Sequence, residues 1–115
     1  MLNTRIALRQ IKQFIQELEM EKEITISKAI LFGSVSKGTS HKDSDIDLAI
    51  WSPHFIGCIP IDLELFANVK SRYPLLEVHT FSVDEDRNNN PMIEEIEKTG
   101  ILLELDSIPH SSFGR

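Results

Sequence analysis

Apolar side chains recur at steps of three and four near the start of the chain, at Ala7, Ile11, Phe14, Ile15 and Leu18. A helix turns once per ~3.6 residues, so this spacing draws one apolar stripe and predicts an amphipathic helix over Thr4 to Lys22. The rhythm then shortens. Ser27 to Phe32 holds the run Ala-Ile-Leu-Phe, too brief for a helix, and ends at Gly33, which predicts a buried strand. Asp45 to Trp51 alternates: Ile46, Leu48 and Ile50 point one way, and Asp45, Asp47, Ala49 and Trp51 the other. Between these strands, Ser34 to Gly38 reads as a short helix or turn, and His41 to Ser44 as a polar loop.

Pro53 to Pro60 is bounded by prolines and contains Gly57, so it predicts a loop. Ile61 to Arg72 carries Leu63, Phe66, Ala67 and Val69, consistent with a second helix. Pro60 stands at its start, Asp62 and Glu64 suit its first turn, and Tyr73-Pro74 ends it. Leu75 to Phe81 alternates again, with Leu76, Val78 and Thr80 on one face and Glu77, His79 and Phe81 on the other. Asp84 to Asn90 is a polar loop. Pro91 to Thr99 predicts a third helix with Gly100 as its stop, and Ile101 to Leu105 a last strand. Helices alternating with strands imply a mixed α/β (α+β) layer fold. The expected organisation is a single domain over residues 1–106 and a flexible tail over 107–115.

Composition narrows the function classes. The 115 residues are 41% hydrophobic with a net charge of −6. That acidity argues against broad binding to nucleic acid, which needs a cationic face. It leaves room for a nucleotide carried as a metal complex, because the metal offsets charge. The single cysteine, Cys58, has no internal disulfide partner, which fits a reducing cytoplasm. Charged residues interrupt the N-terminal apolar positions, so no signal peptide is expected there, and no run reaches the ~20 apolar residues a membrane span needs.

The chemistry gathers between Gly33 and Ile50. Ten residues separate Ser34 from Asp45, and Asp47 follows two positions later. Residues two apart on a strand share a face, with Cα atoms ~6.6 Å apart, so two such carboxylates can lean onto one or two hard cations. Backbone N–H groups at a glycine turn attract phosphate. Two metals ~3.5–4 Å apart would activate an attacking oxygen and stabilise a leaving pyrophosphate.

Other readings of the same residues fail on particular positions. Asp43, Asp45 and Asp47 open like a calcium loop, but Leu48 stands where glycine is needed and His54 where glutamate is needed. Gly33 and Gly38 are spaced as in a P-loop, but Thr39 replaces its lysine. Glu77 is the candidate third carboxylate, since a charge in a mostly apolar strand needs a reason. His79 shares its face and is the alternative ligand. Lys37 and Lys42 flank the pocket as candidate phosphate contacts. His41, His54 and His110 show no zinc spacing.

At these residues the chain resembles the nucleotidyltransferases of the DNA polymerase beta superfamily, and among them the small minimal nucleotidyltransferases (MNT). Their signature of Gly-Ser, ten residues and Asp-x-Asp is met by Gly33, Ser34, Asp45 and Asp47. The likeness runs from about Ile24 to Leu103. It implies a small mixed sheet packed with helices, the palm-like nucleotidyltransferase fold. It also implies that Gly33 and Ser34 hold a triphosphate while Asp45, Asp47 and Glu77, or His79 in its place, hold two Mg2+ ions. The family's third position is commonly aspartate, from which Glu77 and His79 both depart.

The implied activity is transfer of a nucleotidyl group, AMP from ATP, to an acceptor hydroxyl. The implied partner is a helical HEPN-type protein, for which family members serve as antitoxin. The chain has no room for the additional acceptor domain of larger relatives, so an acceptor on a partner protein is expected. The contrasting expectation is a binding module of the same fold that neutralises or scaffolds its partner without chemistry. The first helix's stripe is equally consistent with a homo-oligomer and with a core-facing helix.

Overall fold

The computed structural model describes residues 3–33 and 45–105. Helix α1 spans Thr4–Lys22, as its apolar spacing requires. Asn3 caps it, its side-chain oxygen accepting from the Ile6 N–H at 3.0 Å. The chain leaves through Glu23 in the left-handed region, and the Glu23 N–H closes onto Leu18 O. All five stripe residues are buried, which assigns the stripe to the core of this chain.

Among the described residues four strands form one sheet: β1 (Lys28–Phe32), β2 (Ile46–Ser52), β3 (Leu76–Ser82) and β4 (Ile101–Leu102). Their order is β3-β2-β1-β4, with β1 antiparallel to β2 and β4, and β2 parallel to β3. The sheet is therefore mixed, as expected. β4 is shorter than the predicted Ile101 to Leu105, because only Ile101 and Leu102 pair with β1.

A parallel β2–β3 pair needs a crossover. The expected helix over Ile61 to Arg72 is instead three short pieces: α2 (Ile59–Asp62), a 3₁₀ turn (Leu63–Leu65) and α3 (Ala67–Lys70). Pro60 lies inside the first turn of α2 rather than ahead of it. The break falls at Phe66, whose φ of −142° is not helical. Its ring is driven inward, packing 6.0 Å from Phe14 and 5.7 Å from Phe55. Burying an aromatic ring outweighs one helical hydrogen bond.

Helix α4 (Pro91–Thr99) matches its predicted bounds, with Pro91 at its first position and Asn90 accepting from Met92 N–H. Gly100 stops it, but in extended backbone, at φ −93° and ψ 175°. The position needs space: an added Cβ would lie 2.5 Å from Ile30 Cγ2 and 2.7 Å from Ile96 O.

The sheet is covered on both faces. α1 and the crossover bury Leu31, Ile46, Leu48, Ile50, Leu76 and Val78 from one side. α4 brings Ile93 and Ile96 onto Ile30, Ala49, Trp51 and Phe81 on the other.

Candidate functional site

The site arises from strand register. Phe32, Asp47 and Glu77 lie in one row across β1, β2 and β3, and Ile30, Ala49 and His79 in the next. Paired residues share a face, so the parallel β2–β3 alignment sets Asp47 beside Glu77, with His79 two residues further along β3. Ligand atoms of Asp47, Glu77 and His79 all lie within 4.8 Å of one another. Glu77 and His79, alternatives when read from the sequence, are thus both beside Asp47.

Gly33 completes the wall. Its φ is +81°, a conformation that side chains strain to adopt. An added Cβ would sit 2.1 Å from Asp47 Oδ2, so the chain turns away from β1 directly against that carboxylate. On the other flank, the Phe32 ring meets the His79 ring edge-on at 5.2 Å, fixing the imidazole plane.

Asp47 is half-buried, and its carboxyl is held above the usual carboxylate range. Burial is the largest cause. The charge of Glu77 and a hydrogen bond shared with it act in the same direction, while His79 opposes them. Crowded acids of this kind are relieved by a cation. His79 Nε2 is buried and makes no hydrogen bond among the described residues. Its approach to Asp47 Oδ1, at 3.9 Å, suits an ion pair with a protonated ring but is too long for a hydrogen bond. A buried ring nitrogen without a donor or acceptor, beside two carboxylates, fits a bound divalent ion.

Asp45 is placed differently. It is exposed, one residue ahead of β2, and outside the three-ligand group. It lines a groove of about 270 Å³ with Glu77, Val78, Leu63 and Phe66. It remains near enough for its charge to raise the Asp47 pKa, as the last of the contributing causes. Ser34, Lys37 and Lys42, the remaining expected nucleotide contacts, lie outside the described residues.

One buried acid was misread from sequence. Asp62, expected only to favour a helix start, is fully buried. It accepts from the backbone N–H groups of Ile56 (3.0 Å), Gly57 (2.9 Å) and Cys58 (3.1 Å). It also accepts from Thr80 Oγ1 at 2.8 Å, tying the crossover to β3 three residues beyond Glu77. An acid in a first helical turn reads identically whether it faces water or a loop, so no local signal separates the two roles.

A family model described as polymerase beta, nucleotidyltransferase, matches residues 9–107. Among solved structures, a toxin–antitoxin crystal structure with AMP-PNP is similar over 89% of this chain and 79% of its own, at 23% identity and a TM-score of 0.54. A mutant of the MntA–HpeT toxin–antitoxin, with two aspartates changed to glutamate, is similar over 89% of this chain and 79% of its own, at 21% identity and a TM-score of 0.52. At these identities the likeness is one of fold. No protein of curated function matches the chain.

Proposed function

The chain belongs to the polymerase beta nucleotidyltransferase family, and on that premise we propose that it transfers a nucleotidyl group, AMP from ATP, to a hydroxyl on a partner protein. The observation that carries this reading is the convergence of Asp47, Glu77 and His79 against the Gly33 turn. Asp47, Glu77 and His79 would hold a divalent ion, Mg2+ in the simplest case, with Asp45 at its outer edge. When bound, that ion supplies charge neutralisation of the phosphates. Gly33, Ser34, Lys37 and Lys42 would receive the triphosphate. The acceptor oxygen attacks the α-phosphorus, the bond to the bridging oxygen breaks and pyrophosphate leaves. The acceptor's proton passes to a carboxylate, and Asp47 or Glu77 is positioned to take it.

The partner reading is supported by the toxin–antitoxin assemblies among the similar structures. We assign the chain the antitoxin role opposite a helical HEPN-type toxin in the cytoplasm. The AMP-PNP in one of those structures favours an adenine nucleotide.

The test is transfer of labelled AMP to a co-purified partner. Asp47→Ala should lower transfer at least about a hundredfold while circular dichroism stays native, since several kcal/mol of transition-state stabilisation are removed. Transfer retained by this variant would defeat the mechanism. A second reading, a non-catalytic module that neutralises its partner, is favoured by the position of Asp45 outside the ligand group. Neutralisation that survives Asp47→Ala without any AMP transfer by the parent protein would select it.

A further inference from the structure

The proposed transfer site holds a nitrogen donor where carboxylates alone would suit magnesium. The geometry points to a site built for a first-row transition-metal dication of the manganese–cobalt–zinc class, with His79 Nε2 as the ligand that sets this preference. The inference rests on the metal-dependent reading above and specifies which ion that site selects.

Three observations meet at His79. Its Nε2 atom is buried and has no hydrogen-bond partner among the described residues. A buried ring nitrogen left so is costly, and a metal ion satisfies it. The same atom falls within the 4.8 Å group that includes a carboxylate oxygen of Asp47 and of Glu77. The ring is also held in place: Phe32 meets it edge-on, and its backbone lies in the β2–β3 ladder opposite Ala49.

Donor chemistry then decides the ion. Magnesium takes oxygen ligands and dehydrates reluctantly, whereas imidazole nitrogen favours transition metals, with affinity rising from manganese through iron and cobalt to nickel. Two carboxylates and one imidazole on rigid strands offer a mixed oxygen–nitrogen set. A preformed set of this kind gives each added donor its full selectivity, because neither strand has to move.

The test is titration of the full chain with cobalt(II) and with magnesium, by calorimetry and by the visible absorption of bound cobalt. Cobalt should bind at least about tenfold more tightly than magnesium, and a visible band should appear on loading. His79→Gln should weaken cobalt binding roughly tenfold and shift the band while leaving magnesium nearly unchanged. His79→Asp should narrow the preference from the other side by strengthening magnesium. Both variants are checked by circular dichroism, and the polar replacements keep the exposed part of the residue hydrated.

Equal weakening of the two ions in both variants would overturn the assignment, as would a cobalt band indifferent to His79. A parent protein that binds magnesium as tightly as cobalt and transfers AMP with it would also reject the inference while leaving the transfer reading intact. Failure of the parent protein to bind any dication would overturn both.

Discussion

One face of the β2–β3 pair changes character halfway along. At Trp51 and Phe81 the two strands stack aromatic rings 4.9 Å apart beneath Ile93 and Ile96 of α4. Two register steps away, at Asp47 and Glu77, the same face carries carboxylates. The strands, the alternation and the register are shared. What differs is the second layer: α4 caps the aromatic half, and its apolar cluster ends at Phe32 and Ala49. Polar groups gather where that cover ends, so site and core are two outcomes of one strand pair.

The sharpest way to break this comparison is to remove the cover. Ile93 is fully buried, and Ile93→Ala should cost about 2–5 kcal/mol of stability, measured by urea unfolding, through the cavity it leaves. A cost under 1 kcal/mol would mean that α4 does not define the closed half.

Gly33→Ala comes next. A left-handed backbone at an alanine costs roughly 1–2 kcal/mol, and here the new Cβ also collides with Asp47 Oδ2. The variant should lose stability by about that amount and lose metal affinity with it. Metal affinity equal to that of the parent would separate the turn from the site.

A smaller effect lies at the rim of the closed half. Lys28 stands 4.7 Å over the Trp51 ring and pairs with Glu97, which also pairs with Arg87 at 2.9 Å. The hydrogen bond from Lys28 is the largest cause holding Glu97 below its ordinary value of 4.5. A carboxyl depressed in the folded state contributes stability above its unfolded pKa and loses it as pH falls through the folded value. Glu97→Gln should therefore flatten the acid limb of stability below pH 4.5, read from urea midpoints on either side of that value. An unchanged acid limb would show the pair to be idle.

Least affected should be the half beyond the α4 cluster. Asp47→Asn removes one of two facing negative charges, so without metal the melting temperature should hold or rise slightly, as functional sites often trade stability for activity. A loss comparable with that of Ile93→Ala would make Asp47 a structural residue and erase the contrast.

Much of this was legible in the residues. The spacing of Ala7, Ile11, Phe14, Ile15 and Leu18 specified α1, and period-two alternation specified the faces of β2 and β3. The Gly-Ser and Asp-x-Asp spacing pointed to Gly33 and Asp47, which the fold sets against each other, because a glycine turn and strand acids each have a local signature. Three features were decided elsewhere. Phe66 broke a predicted helix because a ring-sized space opened toward Phe14 and Phe55. Asp62 became a buried clamp because loop N–H groups and Thr80 converged on it. Glu77 and His79 joined Asp47 through strand register.

Periodicity and turn chemistry act over a few neighbouring residues, so the chain alone determined which stretches form helices or strands and which side chains share a face. Register between β2 and β3, and the reach of α4 over them, depend on packing between residues dozens of positions apart. Only the folded chain decided which acids meet, because that meeting is a contact between strands.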